Sequence, residues 1–441
     1  MPRSDVFHPD FKPAPYWWEA WKPTDEHPTE VPKQTQVAIV GGGYGGLATA
    51  LELNKLGIEC VVLEANAPGE GASSRNGGGV SGGVNIGKSI TGSSLNPESP
   101  RAHALLSDGS DAFATIENLI AQEGIECFWR RSGRSGRFVG AWTPKHYDSQ
   151  AKKISRLNDS AQSGAYMLPK ERLHEEMASD FYYGGMVVER SGQLHPALYV
   201  KGLIDRVRAR GIPVCGHAGV QKITRQNSGW LVKTARGDLE AAEIVIATNG
   251  YTGDVTPQLK RRVIPASSHI IATEELPEDL AKSLIPKNRT LADTRRILSY
   301  YRLSPDGRRV VYGGRARFTN AGPEVCAPIL HRFMTDRFPQ LKGVRVTHAW
   351  SGNVAFTLDA LPHSGQIDGM HYLTGCNGSG VAMMTYLGTQ TARRIAGVAN
   401  RTHAFEEGDF PDHPLYTGNP WFLPVIGTWY QIRDRWDRMR A

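Results

Sequence analysis

The amino-acid sequence predicts a discontinuous α/β domain built on a parallel sheet, combined with an α+β domain built on an antiparallel sheet. A strand, a glycine-rich turn and a helix follow one another near residue 40. Apolar strands that run into glycine turns return near residues 246 and 375. Stretches with strand-like alternation lie between these returns. The parallel sheet is therefore expected to be interrupted by insertions that form the second sheet.

The run 37–46 has the pattern of a dinucleotide-binding turn. Gly41 is expected to permit the tight turn, Gly43 to let the backbone approach a pyrophosphate, and Gly46 to let the helix pack closely on the sheet. Glu64 ends a second apolar strand, where its carboxylate can accept both ribose hydroxyls. A nucleotide-free turn is the alternative, and the complete strand, turn, helix and strand context favours the nucleotide. Glutamate at this position disfavours a 2′-phosphate.

The run 69–79 is rich in glycine and serine. A flexible linker would explain the glycines, but it would not explain Arg75 and Asn76 beside them. A loop that lays backbone donors against a phosphate or an isoalloxazine ring explains both. The following run 99–123 is predicted to be a long helix.

Two later segments are predicted to return the chain to the parallel sheet. Residues 196–210 have helical spacing, short strands follow near 214, 220–223 and 230–234, and 243–250 is an apolar strand that enters a glycine turn. Residues 372–384 form a strand and a glycine turn that opens a helix. Such a helix would direct its dipole at a ring edge that gains negative charge on reduction, with a simple packing turn as the alternative.

The stretches 125–190 and 261–346 are rich in aromatic and basic residues, with strand-like alternation at 296–303 and 309–314. We interpret them as one substrate domain assembled from two insertions. The predicted divisions are an aromatic N-terminal arm (1–33), a discontinuous dinucleotide-binding domain (34–124, 191–260 and 347–400), a substrate domain (125–190 and 261–346) and a C-terminal extension (401–441).

Composition narrows the class of protein. A chain of 441 residues with 40% hydrophobic content can bury a large core, and no window is apolar for long enough to span a bilayer. The N-terminal residues lack the apolar core of a signal peptide. Five widely spaced cysteines without a CxxC pair predict neither disulfides nor a metal site and favour a cytoplasmic location. The net charge of +7 is consistent with an anionic substrate or with a basic soluble surface. Outside the C-terminal Arg433, Arg435, Arg438 and Arg440, the basic residues show no nucleic-acid pattern.

The tail combines aromatic residues at 421–430 with a basic helix-like run. Membrane-surface helices have a similar composition. Packing against the body is predicted instead, because Pro424 and Gly427 are expected to interrupt the apolar face. Any membrane contact should be peripheral. The sequence does not predict an oligomeric state.

Together these motifs resemble the D-amino-acid-oxidase-like superfamily of FAD-dependent amine oxidoreductases over residues 36–399. The resemblance is nearest to the γ-glutamylputrescine oxidoreductase subfamily, through the aromatic leader 16–18 and the runs 75–78, 192–196 and 378–383. It implies a Rossmann-like FAD-binding domain beside an antiparallel substrate sheet. FAD is expected to bind non-covalently rather than covalently, with Cys376 as a plain buried thiol.

The resemblance, with the motifs above, assigns FAD contacts to twenty-two positions. They are Gly41, Gly43, Tyr44, Gly45, Gly46, Glu64, Ala65, Ser73, Ser74, Arg75, Asn76, Gly77, Gly78, Val220, Asn249, Gly250, Trp350, Gly352, Gly378, Ser379, Gly380 and Val381.

The chemistry that the resemblance implies is hydride transfer from a carbon bearing an amine to flavin N5, followed by hydrolysis of the imine to an aldehyde or keto acid. Oxygen would then reoxidise the flavin and give hydrogen peroxide. The alternatives are an amine or D-amino-acid dehydrogenase that uses another acceptor, and an NAD(P)H-dependent flavoprotein reductase. A second GxGxxG motif would favour the reductase, and the sequence contains none.

Four polar residues are candidates for contact with a small amine substrate. Tyr300 and Arg302 fall on a predicted roof strand, where an arginine can clamp a carboxylate bidentately. An outward-facing charge is the alternative for Arg302, because only alternate residues of a strand face one side. His269 and Asn353 are further candidates, each with a structural role as the alternative. His195, just before a predicted helix, is expected to cap that helix.

Overall fold

The computed structural model describes residues 5–26, 28–81, 95–130, 136–226, 228–318, 321–399, 401–406 and 409–441. The strands are β1 (Phe7–Lys12), β2 (Gln34–Val40), β3 (Cys60–Leu63), β4 (Gly79–Ser81), β5 (Arg137–Gly140), β6 (Ala165–Leu168), β7 (Gly185–Val188), β8 (Ser191–Gln193), β9 (Val214–Cys215), β10 (Val220–Arg225), β11 (Trp230–Thr234), β12 (Gly237–Ile246), β13 (Ile264–Thr273), β14 (Thr290–Asp293), β15 (Ser299–Leu303), β16 (Val310–Gly314), β17 (Val346–Phe356), β18 (His363–Ile367) and β19 (Met370–Thr374). The helices are α1 (Tyr44–Lys55), α2 (Pro100–Glu123), α3 (Pro144–Ala151), α4 (Ile154–Ala161), α5 (Pro196–Ala209), α6 (Pro257–Lys260), α7 (Glu278–Leu284), α8 (Pro323–Arg337), α9 (Gly380–Ile395) and α10 (Leu423–Met439).

The first sheet contains the parallel strands that the glycine turns predict. Its order is β10-β11-β12-β2-β3-β9, and β19 pairs with the end of β12 and with β18. β2 lies parallel to both β3 and β12. The predicted returns of the chain at 243–250 and 372–384 are therefore confirmed. Because β2, β12 and β19 run in the same direction, the turns that follow them meet at one edge of the sheet.

Helices cover this sheet with apolar side chains. Leu47 of α1 and Leu203 of α5 are fully buried in one hydrophobic cluster, which also includes Phe113 of α2 and Leu387 of α9. The predicted long helix is confirmed as α2: the Ser99 hydroxyl accepts the Ala102 N–H at 3.2 Å and caps its start. The packed helices thus hold the start of α1 at the edge where the glycine turns meet.

The second sheet takes strands from both predicted insertions, in the order β1-β17-β13-β16-β15-β14-β5-β7-β6. Neighbouring strands are antiparallel except for the parallel pairs β1–β17 and β14–β5. Its outer face packs on α8, where Tyr301, Tyr312 and Leu330 are buried in a second cluster. Its other face is turned toward the first sheet.

Two strands lie outside the divisions predicted from the sequence. β17 pairs with β13 along its length, from Phe356 opposite Ile264 to Val346 opposite Thr273, so residues 347–356 extend the second sheet and not the first. β1 pairs with β17, with Phe7 opposite Val346, so part of the N-terminal arm also joins that sheet. The remaining domain boundaries stay predictions.

The tail forms α10, and one side of it packs against the body as predicted. The Asp434 carboxylate accepts the backbone N–H groups of Arg296 (3.2 Å) and Ile297 (3.1 Å). Contrary to the prediction, Pro424 and Gly427 do not interrupt the apolar face of the tail. Pro424 lies in the first turn of α10, where proline is tolerated, and Gly427 lies on the inner side of the helix. Among the described helices, none is both long and apolar enough to cross a membrane.

Candidate cofactor and substrate site

A cavity of about 960 Å³ connects the two sheets. One end is lined by the turn after β2 and by Glu64, and the other by β13, β15 and β17 of the second sheet. This volume is near the upper end of the range of about 300–1,000 Å³ that is usual for ligand sites. The cavity therefore has room for a large ligand together with a small one.

Main-chain geometry shapes the first end of the cavity. Gly41 has a φ of +116°, in the region that favours glycine, and a Cβ on Gly46 would lie 2.0 Å from the Gly41 carbonyl oxygen. The Glu64 carboxylate accepts the N–H groups of Gly42 (2.7 Å) and Asn66 (3.1 Å). Burial raises the pKa of Glu64, and these backbone hydrogen bonds oppose the rise. The turn, the helix start and the carboxylate form the arrangement expected for phosphates and a ribose.

The loop 73–78 forms the middle of the cavity wall, and side chains from distant segments hold it. The Trp17 indole donates to the Asn76 carbonyl (2.8 Å), and the Trp350 indole donates to the Arg75 carbonyl (2.7 Å). The Tyr44 hydroxyl donates to the Ser73 carbonyl (2.5 Å). Three carbonyls of the loop are thus bound by side chains of other segments, which hold the loop in one shape.

The turn between β19 and α9 forms a further part of the cavity wall. Gly378, Gly380 and Val381 line the cavity, and the N-terminus of α9 begins there. The Asn249 side chain accepts the Gly375 N–H at 3.1 Å, which ties this turn to the end of β12. The helix start contributes free N–H groups and a positive dipole end.

These features fit a flavin dinucleotide along the cavity. The positive end of α1 and the Glu64 carboxylate suit the pyrophosphate and ribose, while glycines at 77, 78, 378 and 380 leave space for a flat ring. The α9 terminus suits a ring edge that becomes negative.

The predicted cofactor residues divide into two groups. Those that line the cavity are Gly41, Gly43, Tyr44, Gly45, Glu64, Ala65, Ser73, Arg75, Asn76, Gly77, Gly78, Val220, Asn249, Gly352, Gly378, Gly380 and Val381. Those that lie behind its wall are Gly46, Ser74, Gly250, Trp350 and Ser379. The second group holds the wall in place: Ser74, for example, accepts the Trp18 indole N–H at 3.1 Å.

Polar residues of the second sheet line the other end of the cavity. The hydroxyls of Tyr300 and Ser268 lie 2.8 Å apart, and the Tyr300 ring packs against Gly77 and Gly313. Burial raises the pKa of Tyr300 to about 12. The phenol therefore stays neutral near pH 7 and can both donate and accept a hydrogen bond. Asn353 also lines the cavity, and its amide donates to the Gly250 carbonyl at 3.4 Å.

Two arginines of this end have opposite surroundings. Arg302 is 3% exposed, which excludes the outward-facing alternative, and its guanidinium donates to the carbonyls of Leu194 (2.8 Å), Leu303 (3.0 Å) and Gly78 (3.2 Å). Arg315 lines the cavity, and its Nε has no hydrogen-bond partner among the described residues. Burial lowers the pKa of both guanidinium groups. Both arginines line the cavity, but main-chain carbonyls occupy donors of Arg302, whereas the Arg315 Nε is left able to bind an anion.

The prediction that His269 contacts a substrate is corrected by the structure. The residues of β13 that line the cavity are Ile264, Ala266, Ser268 and Ile270. Because side chains alternate along a strand, His269 points to the opposite face of the sheet, where it is 1% exposed. Burial lowers the pKa of His269, so it is a neutral residue of the core.

The comparison with known families decides the class of protein. Residues 36–394 match the family model described as DAO, FAD-dependent oxidoreductase. The chain belongs to this family. Over 405 residues it is 32% identical to γ-glutamylputrescine oxidoreductase of Escherichia coli K12, covering 90% of this chain and 92% of that protein. It is 30% identical to a probable oxidoreductase of Haemophilus influenzae, covering 85% of this chain and 86% of that protein.

Solved structures with the same fold include an oxidase and a dehydrogenase. L-proline dehydrogenase from P. horikoshii matches with a TM-score of 0.70 and 16% identity, covering 84% of this chain and 96% of that one. Glycine oxidase from Geobacillus kaustophilus matches with a TM-score of 0.68 and 20% identity, covering 88% and 99% of the two chains. The mixed α/β architecture of this FAD-dependent oxidoreductase is therefore that of amino-acid flavoenzymes.

Sequence reasoning missed several residues that line the cavity of this FAD-dependent oxidoreductase. Arg315 follows β16 directly, and Arg137 begins β5 in the other insertion. The C-terminal tail supplies Tyr430 and three apolar residues, Phe422, Leu423 and Ile426. A basic residue at the end of an apolar strand was the available signal for Arg315, whereas the contribution of the tail depends on tertiary packing alone.

Other predicted features have structural roles in this FAD-dependent oxidoreductase. The His195 ring accepts the Leu198 N–H at 3.3 Å, which confirms it as a helix cap, and burial lowers its pKa to about 4. All five cysteines are free and buried, including Cys376 at the cavity. Within the described ranges, no cluster of side chains suits a metal ion.

Proposed function

We propose that this FAD-dependent oxidoreductase oxidises a primary or secondary amine that also carries a carboxylate, as γ-glutamylputrescine and amino acids do. The observation that carries the proposal is Arg315 at the substrate end of the cavity. Its guanidinium lies over the rings of Phe356 (4.9 Å) and Phe318 (5.1 Å), and its Nε has no hydrogen-bond partner among the described residues. The name of the Escherichia coli relative supports the same substrate class.

Arg315 is partly buried, and a charge that loses water without gaining an acidic partner costs free energy. A guanidinium shielded by two aromatic rings loses hydration, and burial lowers the pKa of Arg315. A carboxylate that enters the cavity can accept two parallel hydrogen bonds from this group. Arg302 is a weaker candidate for the same role, because main-chain carbonyls already occupy its donors. Arg315 would therefore orient the substrate by its acidic end.

The cofactor would lie along the residues that line the first end and the middle of the cavity. When bound there, FAD accepts the two electrons and the hydrogen of the C–H bond next to the amine. The protein's contribution is to position that bond. The neutral hydroxyls of Tyr300 and Ser268, 2.8 Å apart, and the amide of Asn353 offer hydrogen bonds without adding charge. Such contacts suit an amine that must be neutral to react.

Two further steps complete the proposed reaction after the amine has been oxidised. Water hydrolyses the imine product to an aldehyde or keto acid, with release of ammonia or an amine. Oxygen is the proposed acceptor and would yield hydrogen peroxide. A dehydrogenase that uses another acceptor is the alternative, since relatives of the fold include both types. We further propose non-covalent FAD and a cytoplasmic location, in keeping with five free cysteines.

The test is flavin absorbance under anaerobic conditions. The purified protein is mixed separately with γ-glutamylputrescine, putrescine, sarcosine, several D-amino acids and NADPH, and air is then admitted. We expect bleaching by a carboxylate-bearing amine and fast recovery in air with release of peroxide. Fast bleaching with slow recovery would favour the dehydrogenase. Bleaching by NADPH alone would refute amine oxidation and favour the reductase.

A further inference from the structure

The outer face of α10 presents an apolar stripe that nothing in the described structure covers. Its residues recur at spacings of four and three, which places them on one side of the helix. The stripe consists of Val425 (69% exposed), Trp429 (54%), Ile432 (54%), Trp436 (40%) and Met439 (79%). Trp421, just before the helix, is 63% exposed. A contiguous exposed patch of this kind marks an interaction surface.

The helix itself is firmly attached through its other side. Asp434 accepts hydrogen bonds from the backbone of Arg296 and Ile297, and Arg438 donates to the carbonyls of Trp142 (2.7 Å) and Phe181 (3.1 Å). Because these contacts settle which side faces the body, the outer stripe stays outward when the helix is in place.

The charges of α10 that border the stripe have one sign. Arg433 and Arg440 border one side and the exposed Arg435 borders the other, as their positions on the helix require. The Arg440 guanidinium lies 4.1 Å from the Trp436 ring centre, and that of Arg433 lies 5.6 Å from the Trp429 ring centre. The acidic residues of the helix, Asp434 and Asp437, are both paired with Arg296 on the inner side.

We propose that α10 docks this protein on an anionic lipid surface. Tryptophans would enter the boundary between headgroups and acyl chains, which they favour, while the bordering arginines bind lipid phosphates. The long arginine side chains can extend from the rim to the headgroups. This proposal rests on the geometry of α10 and does not depend on the substrate or the electron acceptor.

The charge pattern favours lipid over a second copy of the chain. In a twofold symmetric contact through this stripe, each rim of arginines would face an equivalent rim, and the outer face has no carboxylate to neutralise them. Like charges in such a contact oppose association. Anionic headgroups supply the missing negative charge, and a membrane also accommodates the exposed tryptophans.

Vesicle flotation with the purified full-length protein tests the proposal. Vesicles of phosphatidylcholine alone are compared with vesicles of equal parts phosphatidylcholine and phosphatidylglycerol. We expect binding to the anionic vesicles that weakens as salt is added. The double variant Trp429→Glu/Trp436→Glu should lower the bound fraction about tenfold or more. The matched control Val398→Glu/Leu415→Glu, at residues 49% and 73% exposed elsewhere on the surface, should bind as the parent does.

A second variant guards against loss of fold. Arg433→Gln/Arg435→Gln/Arg440→Gln keeps the apolar stripe and should reduce binding to anionic vesicles while flattening its salt dependence. Flavin absorbance and thermal unfolding report whether each variant is folded. The proposal is overturned if the parent protein does not float with anionic vesicles, or if folded stripe variants float equally well. It is also overturned if light scattering shows a dimer that the stripe variants dissociate, because the stripe would then bind a second copy.

Discussion

The two ends of the cavity are built in different ways. At the nucleotide end, glycine-rich turns shape the wall through their main chain, as at Gly41 and Gly78 with φ values of +116° and +70°. At the substrate end, side chains from β13, β15, β17, the residue after β16 and the C-terminal helix converge. A wall formed by the main chain tolerates few substitutions, because a new side chain displaces the backbone itself. In a wall formed by side chains, one residue can be substituted while the other contacts stay in place. We therefore expect substitutions at the first end to affect folding and FAD together, and those at the second end to affect substrate selection.

Trp17→Ala should have the largest effect on stability. It tests whether the loop 73–78 keeps its shape without the hydrogen bond from the aromatic arm. Trp17 is fully buried, and its indole holds the Asn76 carbonyl. We expect a loss of about 3–5 kcal/mol in the free energy of unfolding, with weaker FAD binding. Urea unfolding and the ratio of flavin to protein absorbance measure the two effects. Trp421→Ala, at a residue 63% exposed, is the control. Full FAD content in a stable Trp17 variant would show that the loop needs no support from the arm.

Gly46→Val tests the main-chain construction directly. A Cβ at Gly46 would lie 2.0 Å from the Gly41 carbonyl oxygen, so α1 must move away from the turn. The expected destabilisation is about 3 kcal/mol, accompanied by purification without bound FAD. Gly57→Asn serves as the control, because no atom lies within 4 Å of a Cβ there and asparagine tolerates the φ of +77°. Wild-type FAD content in the valine variant would contradict the proposed role of this contact.

Arg315→Gln should separate the substrate end from the nucleotide end. We expect kcat/KM for a carboxylate-bearing amine to fall about 100-fold, chiefly through KM, while FAD content and stability stay close to the parent. A carboxylate-free analogue such as N-acetylputrescine should lose little. Arg315→Lys should recover part of the activity, and Arg317→Gln, at an exposed neighbour, should be silent. An equal loss for both kinds of substrate would exclude Arg315 as the carboxylate anchor.

A smaller, pH-dependent effect is expected at His195, which lies where the arm meets the second sheet. Burial lowers its pKa from 6.5 to about 4, so the unfolded chain takes up a proton first as the pH falls. Stability should therefore decrease between about pH 6.5 and pH 4. His195→Asn keeps a capping side chain but has no imidazole to protonate. Its free energy of unfolding should therefore fall by about 1–2 kcal/mol less than that of the parent over this pH range. Urea midpoints at several pH values measure the difference, and parallel curves for the two proteins would contradict it.

The same contrast explains how much could be predicted from the sequence. Gly41, Gly46 and Glu64 act through local turns and a short sequence spacing, so the sequence pattern alone predicts their role in binding a dinucleotide. Arg315 could not be selected over Arg302, because the donors of Arg302 are occupied by carbonyls distant in sequence, those of Gly78 just before β4 and of Leu194 just before α5. His269 was misplaced by one position in the alternation of β13, and β17 was assigned to the wrong sheet because its pairing partner lies far away in sequence.

The position of the aromatic arm has a consequence for synthesis of the chain. Glu19 emerges early from the ribosome, yet its hydrogen-bond partner His348 lies 329 residues later. At ordinary translation rates that interval is roughly 15–65 s. Throughout it, Tyr16, Trp17 and Trp18 lack the strand against which they finally pack, and they present an apolar segment of the kind that chaperones bind. The loop that faces the cofactor can therefore reach its final form only after most of the polypeptide has been made.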